Sequence, residues 1–199
     1  MKETKNKKAI AVDLGLPSGT LWCDRNVGSK SPYDDGAYFS WGNTEPHYPH
    51  NTNDWGNTDD VSDGYSFYRD TYEKTAGAKL KGNIDLEHDA AHANMSDKWH
   101  MPTSEQFQEL YDHCSWERKT INGVNGYLVT SRINGNSIFF PAAGSRYGTG
   151  LYGHGSYGYY WSASLYSSAN GYNLGFSSGG VYPQDGNNRF CGVSVRAVQ

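Results

Sequence analysis

The chain has 199 residues, a formal net charge of -4 and an aromatic share of 15%. This length suits one domain, and the negative charge argues against a nucleic-acid partner, because phosphate binding needs a basic stripe. No segment approaches the ~20 apolar residues of a membrane-spanning helix, so we expect no membrane insertion.

The N-terminal half predicts a tail, short strands and an insertion. Residues 1–9 are rich in lysine and predict a flexible tail, with charges where a secretory signal would be apolar. We expect a single domain over residues 10–199. Glycine and proline punctuate residues 12–27 in the manner of strand, turn and strand, and the aromatic run at 38–41 predicts another strand. The polar, irregular stretch at about 43–82 predicts a long surface insertion.

Two helices are expected in the middle of the chain. Residues 84–93 form a short candidate. Residues 103–113 form a stronger one, because apolar side chains recur there at spacings of three and four. Thr103 and Gln106 have the spacing of a capping box, which would fix the start of this helix.

Strands are expected on both sides of these helices. Segments 126–131 and 137–141 predict a hairpin, since Asn134-Gly135 between them is a strong turn signal. With helices in the middle and short antiparallel strands at both ends, the pattern favours a loop-rich α+β fold.

Candidate catalytic and metal-binding motifs are weak. His88 and His92 stand four residues apart and could hold zinc on one helix face, but the glutamate of a metalloprotease motif is missing, and a structural helix is favoured. The acidic loop at 51–63 lacks the ligand spacing of a calcium-binding EF-hand, so a solvated loop is favoured there. We therefore predict no cofactor, no metal and no enzyme activity.

The three cysteines form no recognisable site. Cys23, Cys114 and Cys191 are an odd set without CxxC spacing, and buried free thiols are the first expectation. A bridge between Cys23 and Cys191 in an oxidising compartment is the alternative.

The C-terminal quarter has the composition of a binding surface. Residues 144–199 hold 12 glycines and 8 tyrosines but only four charged residues. Antibody paratopes use the same chemistry, because tyrosine gives a large contact area with few rotatable bonds while serine, glycine and asparagine adapt their hydrogen bonds. Apolar pairs at 160–161, at Leu174 and Phe176, and at 193–195 predict strands beneath this surface.

Four segments together resemble a known family: DLGLPSGTLW at 13–22, DLEHDAAHANMSDKWHMPTSEQF at 85–107, NGNSIFFPAAGSR at 134–146, and YGYYWSAS with the terminal GVSVRAV. They are similar to the formylglycine-generating-enzyme type of C-type lectin fold, in the branch of gut Bacteroides and their phages. That branch includes the variable proteins of diversity-generating retroelements. Such a retroelement copies a template repeat with errors at adenines and writes the result into the 3′ end of the gene for the variable protein. The resemblance implies a C-type lectin-like domain with a C-terminal variable region at about 145–199.

The resemblance also implies which residues would vary. By this resemblance, Trp161, Leu174, Phe176 and Val193 would be scaffold. Strand alternation supports part of the assignment, since a strand that buries Leu174 and Phe176 turns Asn173, Gly175 and Ser177 outward. The oxidase cysteine pair of enzymatic relatives and the EPN and WND motifs of calcium-dependent lectins are not reproduced. The ligand-binding surface would comprise Tyr147, Tyr152, His154, Tyr166, Ser167, Ser168, Asn173, Gly175, Ser177, Ser178, Tyr182, Asp185, Asn187, Asn188 and Phe190.

The sequence thus predicts a receptor-type or adhesin-type binding protein on a virion or cell surface. Its partner would be a protein or glycan on a cell, and oligomerisation or display on a larger assembly would raise the strength of binding. A structural domain of a surface or virion assembly and a metal-dependent enzyme using His88 and His92 are the alternatives.

Overall fold

The computed structural model describes residues 8–46, 82–147, 150–167, 170–189 and 191–199. Most of the expected tail and insertion therefore lies outside the described residues, and so does the acidic loop at 51–63. The described part contains a single 3-10 turn, Leu86–His88, and two α-helices, α1 (Ala90–Asn94) and α2 (Ser104–His113). No helix in this part of the chain is long and apolar enough to cross a membrane.

Strands account for most of the regular structure in the described residues. In chain order they are β1 (Ala11–Asp13), β2 (Leu21–Asn26), β3 (Tyr38–Phe39), β4 (Cys114–Ile121), β5 (Val124–Ser131), β6 (Ser137–Pro141), β7 (Ser145–Tyr147), β8 (Gly150–Tyr152), β9 (Gly158–Leu165), β10 (Asn170–Ser177), β11 (Gly180–Asn188), β12 (Val193–Ser194) and β13 (Arg196–Val198).

These strands form four sheets. One sheet has the order β11-β10-β9-β12-β3, in which only the β9–β12 pair is parallel. The others are β1-β2-β13, the β4-β5-β6 meander and the β7-β8 hairpin, all antiparallel.

The expected α+β class is wrong. Strand residues make up 47% and helical residues 12% of the described residues, so the fold is mostly β, and the C-type lectin-like assignment that accompanied the class is not confirmed. One reason is that the helix expected at 84–93 is broken, because Asp89 has extended backbone angles between the 3-10 turn and α1. A second reason is strand β4, which was not predicted from the sequence. The Asn122-Gly123 pair that follows β4 is a hairpin signal of the same kind as Asn134-Gly135.

Several local predictions are confirmed. The strand, turn and strand at the N-terminus are β1 and β2, and the hairpin of β5 and β6 pairs over the expected residues. Helix α2 begins after Thr103, whose hydroxyl accepts from the backbone N–H of Gln106 while the Gln106 side chain accepts from the Thr103 N–H. This capping box satisfies two backbone donors that a helix start leaves without partners.

The five-stranded sheet separates two hydrophobic clusters. Neighbouring residues of β9 point to opposite sides, so that Trp161 belongs to one cluster with Trp41 and Val193, and Tyr160 belongs to the other with Leu174. Helix α2 covers the Tyr160 side, since Phe107 and Leu110 share its cluster. Strands β9 and β10 are therefore covered on both faces, and this decides which of their side chains reach the surface.

Arg196 is a charged residue buried inside the molecule, with a side-chain exposure of 0%. Its guanidinium donates to Asn26 Oδ1 at 2.9 Å, to the Cys23 carbonyl at 3.2 Å and to the Phe139 carbonyl at 2.7 Å. It also lies 4.4 Å from the centre of the Phe140 ring. Burial lowers the pKa of Arg196, opposed by the nearby Tyr160. The side chain therefore joins β13 to β2 and β6.

We expect Arg196→Met to lower the free energy of unfolding by about 3 kcal/mol, because it leaves three buried oxygen acceptors without a donor. Urea unfolding followed by fluorescence measures the change. Arg118→Met is the matched control, since Arg118 is exposed on β4, and such surface changes stay within about 0.5 kcal/mol. Equal losses in the two variants would contradict the assigned role.

Candidate functional site

Among the described residues, exposed tyrosines are concentrated in the C-terminal quarter. Tyr147, Tyr152, Tyr166 and Tyr182, all of them expected at the surface, expose 40%, 58%, 52% and 55% of their area. Tyr157 is exposed as well, although the sequence analysis did not single it out. These tyrosines lie on β7, β8 and β11 and in the loops beside β9. The strands belong to a framework whose core is rich in buried aromatic residues.

The β7-β8 hairpin carries one pair of these rings. Tyr147 and Tyr152 meet edge to face with ring centres 6.4 Å apart. The side chain of Arg146, the residue before Tyr147, points toward the core, where its guanidinium lies 5.0 Å from the centre of the Tyr38 ring. The Arg146 backbone pairs with that of Gly192. The hairpin is therefore attached to the domain at its base while its two tyrosines face outward.

His154 is exposed as expected, but it is also anchored. Its Nε2 lies 2.7 Å from Asp35 Oδ2, which joins the loop after β8 to the segment before β3. A cleft of about 440 Å³ opens beside this pair, lined also by Tyr33 and Asn125. His154 is thus held in one orientation at the rim of a recess.

Alternation along β10 holds, yet two expected surface residues are buried. Leu174 and Phe176 are buried as predicted. Asn173 and Gly175 lie on the opposite face of the strand, but neither is exposed, so the expectation that they turn toward solvent is wrong. The reason is tertiary: β10 lies between β9 and β11, and Asn173 is paired with Trp161 on one side and Asp185 on the other.

Asn173 is also incompletely bonded. Both its Nδ2 and its Oδ1 are buried without a hydrogen-bond partner among the described residues. A buried polar group in this state costs about 1–3 kcal/mol of stability. Natural proteins seldom retain such groups, so this asparagine stands out within the sheet.

The remaining expected surface residues divide between two faces of the sheet. Gly186 pairs with Tyr172, and the Tyr166 ring lies over Gly186 and meets Tyr172 edge to face with centres 4.8 Å apart. Asp185, the neighbour of Gly186, pairs with Asn173 and therefore points to the other face. The single diversified face expected from the sequence is in fact two surfaces, one with Tyr166 and Tyr172 and the other with Asp185.

The exposure of the other expected residues is mixed. Asp185, Ser178 and Asn188 are exposed, and Ser167, Ser177 and Asn187 are half-buried. Ser168 and Phe190 lie outside the described residues. Tyr159 was not among the residues predicted from the sequence, and its ring stacks on that of Tyr157 with centres 6.2 Å apart and planes 4° apart. The spacing of two between these tyrosines was the available signal, because it puts both on one face of a strand.

The i, i+4 helical geometry that would let His88 and His92 hold zinc is not formed, and neither is the single structural helix favoured for this segment. His88 belongs to the 3-10 turn, where its Nδ1 contacts Asp85 Oδ1 at 2.7 Å, and His92 belongs to α1. Within the described ranges, no group of three or more histidine, cysteine, aspartate or glutamate side chains could hold a metal ion.

The three cysteines are free and buried. No bridge joins Cys23 to Cys191. Burial raises the pKa of Cys114 to about 11 and that of Cys191 to about 12, and burial also raises the pKa of Cys23. Because the thiolate is the reactive form, these thiols are chemically quiet near neutral pH.

Comparison with known proteins gives one partial match. A family model described as a domain of unknown function, DUF8237, matches residues 116–198, which run from β4 to β13 and include the tyrosine-rich quarter. No curated protein matches the chain, and no solved structure does. The chain is therefore similar to this family over its C-terminal part.

We expect Asn173→Leu to raise the free energy of unfolding by about 1 kcal/mol, because leucine has a similar volume and removes two unpaired polar atoms. Thermal and urea unfolding measure the change. Asn26→Leu is the control with the opposite sign, since the Asn26 amide donates to the Asp35 carbonyl and accepts from Arg196. A destabilised Asn173→Leu protein would show that this amide has a partner in solution.

We expect none of the three thiols to react with Ellman's reagent in the folded protein at mildly alkaline pH, because burial disfavours each thiolate. All three should react once guanidinium chloride unfolds the chain. Rapid labelling of the folded protein, mapped to Cys191 by mass spectrometry, would contradict the quiet role assigned to these cysteines.

Proposed function

We propose that this protein is a ligand-binding protein of the receptor or adhesin type, whose C-terminal tyrosine-rich surface is diversified by a retroelement. The observation that carries the proposal is the exposure of Tyr147, Tyr152, Tyr157, Tyr166 and Tyr182 on strands and loops fixed to a closed aromatic core. Single exposed aromatics are ordinary, but a concentration of them marks an interaction surface.

The division between core and surface supports diversification. The residues that hold β9, β10 and β12 in place are fully buried, among them Trp161, Leu174 and Val193. Exposed side chains beside them make few contacts, so that most substitutions there change the free energy of unfolding by less than about 0.5 kcal/mol. A surface of this kind accepts new residues while the framework stays folded.

The chemistry of the surface supports binding rather than catalysis. The one exposed histidine of the hairpin region, His154, is paired with Asp35, and the thiol of Cys191 is buried. Exposed tyrosines supply hot-spot area for a protein or glycan ligand, and the half-buried Ser167, Ser177 and Asn187 supply adaptable hydrogen bonds between them.

The test is to sequence the gene and its flanks across a population of the source organism. We expect amino-acid changes at the codons of exposed residues such as Tyr152, Tyr166 and Tyr182, and none at those of Trp161 and Leu174. A nearby reverse-transcriptase gene and a template repeat that differs from this 3′ end only at adenines should accompany them. The codons of β5 and β6 in the same gene are the internal control.

Two results would contradict the proposal. An invariant gene without a template repeat would remove diversification and favour a structural domain. Changes spread equally over exposed and buried codons would indicate ordinary drift rather than a selected binding surface.

A further inference from the structure

Arg146 is a buried charge whose donors are unused. It lies in the middle of β7, exposes 9% of its area and places its guanidinium 5.0 Å from the centre of the Tyr38 ring. Among the described residues its side chain forms no hydrogen bond and no ion pair, and its Nε is enclosed without an acceptor. Proteins seldom leave buried polar atoms in this state, so each case calls for an explanation.

Two other arginines show how this fold satisfies a structural guanidinium. Arg196 also lies against an aromatic ring, but Nε and both of its terminal nitrogens donate to protein oxygens. Arg25 donates to both carboxylate oxygens of Asp24. Attraction to one ring offsets only part of the free energy that a guanidinium loses when it leaves water, and in both cases oxygen acceptors supply the rest. Arg146 has the ring alone.

The unused donors of Arg146 include two that remain in contact with solvent. Its terminal nitrogens make no hydrogen bond among the described residues either, but unlike Nε they are not enclosed. Leu151 stands directly across the β7-β8 hairpin from Arg146 and exposes 39% of its area. Directly paired residues of a hairpin project from the same face, so the face that carries the guanidinium is open at Leu151. The group is therefore recessed at the surface rather than sealed in the core.

No acidic residue in the described part of the chain forms an ion pair with this guanidinium. Burial raises the pKa of Tyr38, Asp35 raises it further and Arg146 opposes the rise, so both charges act on the same ring. Asp35, however, contacts His154, whose Nε2 lies 2.7 Å from Oδ2. Asp185 is the one acidic residue of segment 144–199, and its strand β11 lies at the opposite edge of the five-stranded sheet from Tyr38. The counter-ion must come from another molecule.

We propose that Arg146 binds a carboxylate, supplied by a glutamate or aspartate side chain of a protein ligand. The inference rests on the proposed function and narrows its ligand to a class. The guanidinium matches a carboxylate in shape, since two parallel N–H groups donate to its two oxygens. It also matches in charge, because one guanidinium balances one carboxylate, whereas a phosphate group of about -1.5 to -2 would keep an excess negative charge.

The recessed position of the guanidinium favours an acidic side chain over an acidic sugar. A carboxylate that reaches a group with 9% exposure must be carried on a narrow stem. The methylenes of glutamate form such a stem, and they are apolar enough to pack on Leu151. In a uronic acid the carboxylate is attached directly to a ring, whose hydroxyls would lose water against Leu151 without gaining a hydrogen bond there.

The test is an NMR titration of the full 15N-labelled chain with N-acetyl-glutamate N-methylamide. The Arg146 Nε–H signal and the backbone amides of Leu151 and Gly192 report on the site. We expect saturable shifts with a Kd in the roughly millimolar range of a single small contact. The neutral probe N-acetyl-glutamine N-methylamide should bind at least about fivefold more weakly, because a charge-assisted hydrogen bond is about twice as strong as a neutral one. Added salt should weaken the glutamate complex.

Two variants complete the design. Arg146→Met should abolish the preference for the glutamate probe at Leu151 and Gly192, while Arg118→Met, at an exposed position on β4, should leave it unchanged. Without ligand, Arg146→Met should unfold at the same urea concentration as the parent or at a higher one, because it removes a buried charge that lacks an ion-pair partner. Arg196→Met, which removes a fully bonded arginine, should unfold at a lower concentration.

The outcomes separate this inference from the proposed function. Equal binding of the two probes, a glutamate preference that persists in Arg146→Met, or a loss of stability in Arg146→Met as large as that in Arg196→Met would overturn the carboxylate site. Larger shifts with methyl glucuronide or inorganic phosphate would overturn the protein side chain as its ligand. Variation at exposed codons would then still support a binding protein with another ligand. An invariant gene combined with Arg146-dependent glutamate binding would keep the site and remove diversification.

Discussion

The buried guanidinium of Arg196 is the interaction on which the arrangement of the sheets depends. It has no carboxylate among its hydrogen-bond partners and is instead satisfied by two backbone carbonyls and one amide oxygen, from β2 and β6. A buried charge is tolerated only when its hydrogen-bond donors have acceptors, so β2, β6 and β13 must stay in one register. The terminal strand β13 thereby closes the domain next to β2, the second strand of the chain.

Tyrosine has two separate uses in this protein. Buried tyrosines belong to the framework, where the Tyr160 hydroxyl donates to the Pro141 carbonyl at 2.6 Å and the Tyr38 hydroxyl donates to the Ala143 carbonyl at 2.7 Å. Exposed tyrosines such as Tyr152 and Tyr182 present their rings to solvent. Since the same residue type can hold the sheets and contact a ligand, composition alone does not separate the two sets.

Part of the candidate site could be predicted from the sequence, because strand periodicity is a local property. The spacing of Leu174 and Phe176 predicted one buried face of β10, and the structure agrees. It did not reveal that Asn173 on the other face is covered too, because that depends on β9 and β11, which flank β10 through pairings with distant residues. For the same reason, the sequence could not show that Asp185 and Tyr166 occupy different faces.

The sequence by itself determined the local elements and the chemistry of the surface. Capping residues fixed the start of α2, turn signals fixed the β5-β6 hairpin, and composition gave the tyrosine-rich quarter. Only the tertiary structure decided the mostly β class, the break at Asp89 and the burial of Asn173. Each of these depends on contacts between residues far apart in the chain, such as the Met101 N–H that donates to Asp89 Oδ2 at 2.8 Å, and local patterns carry no information about such contacts.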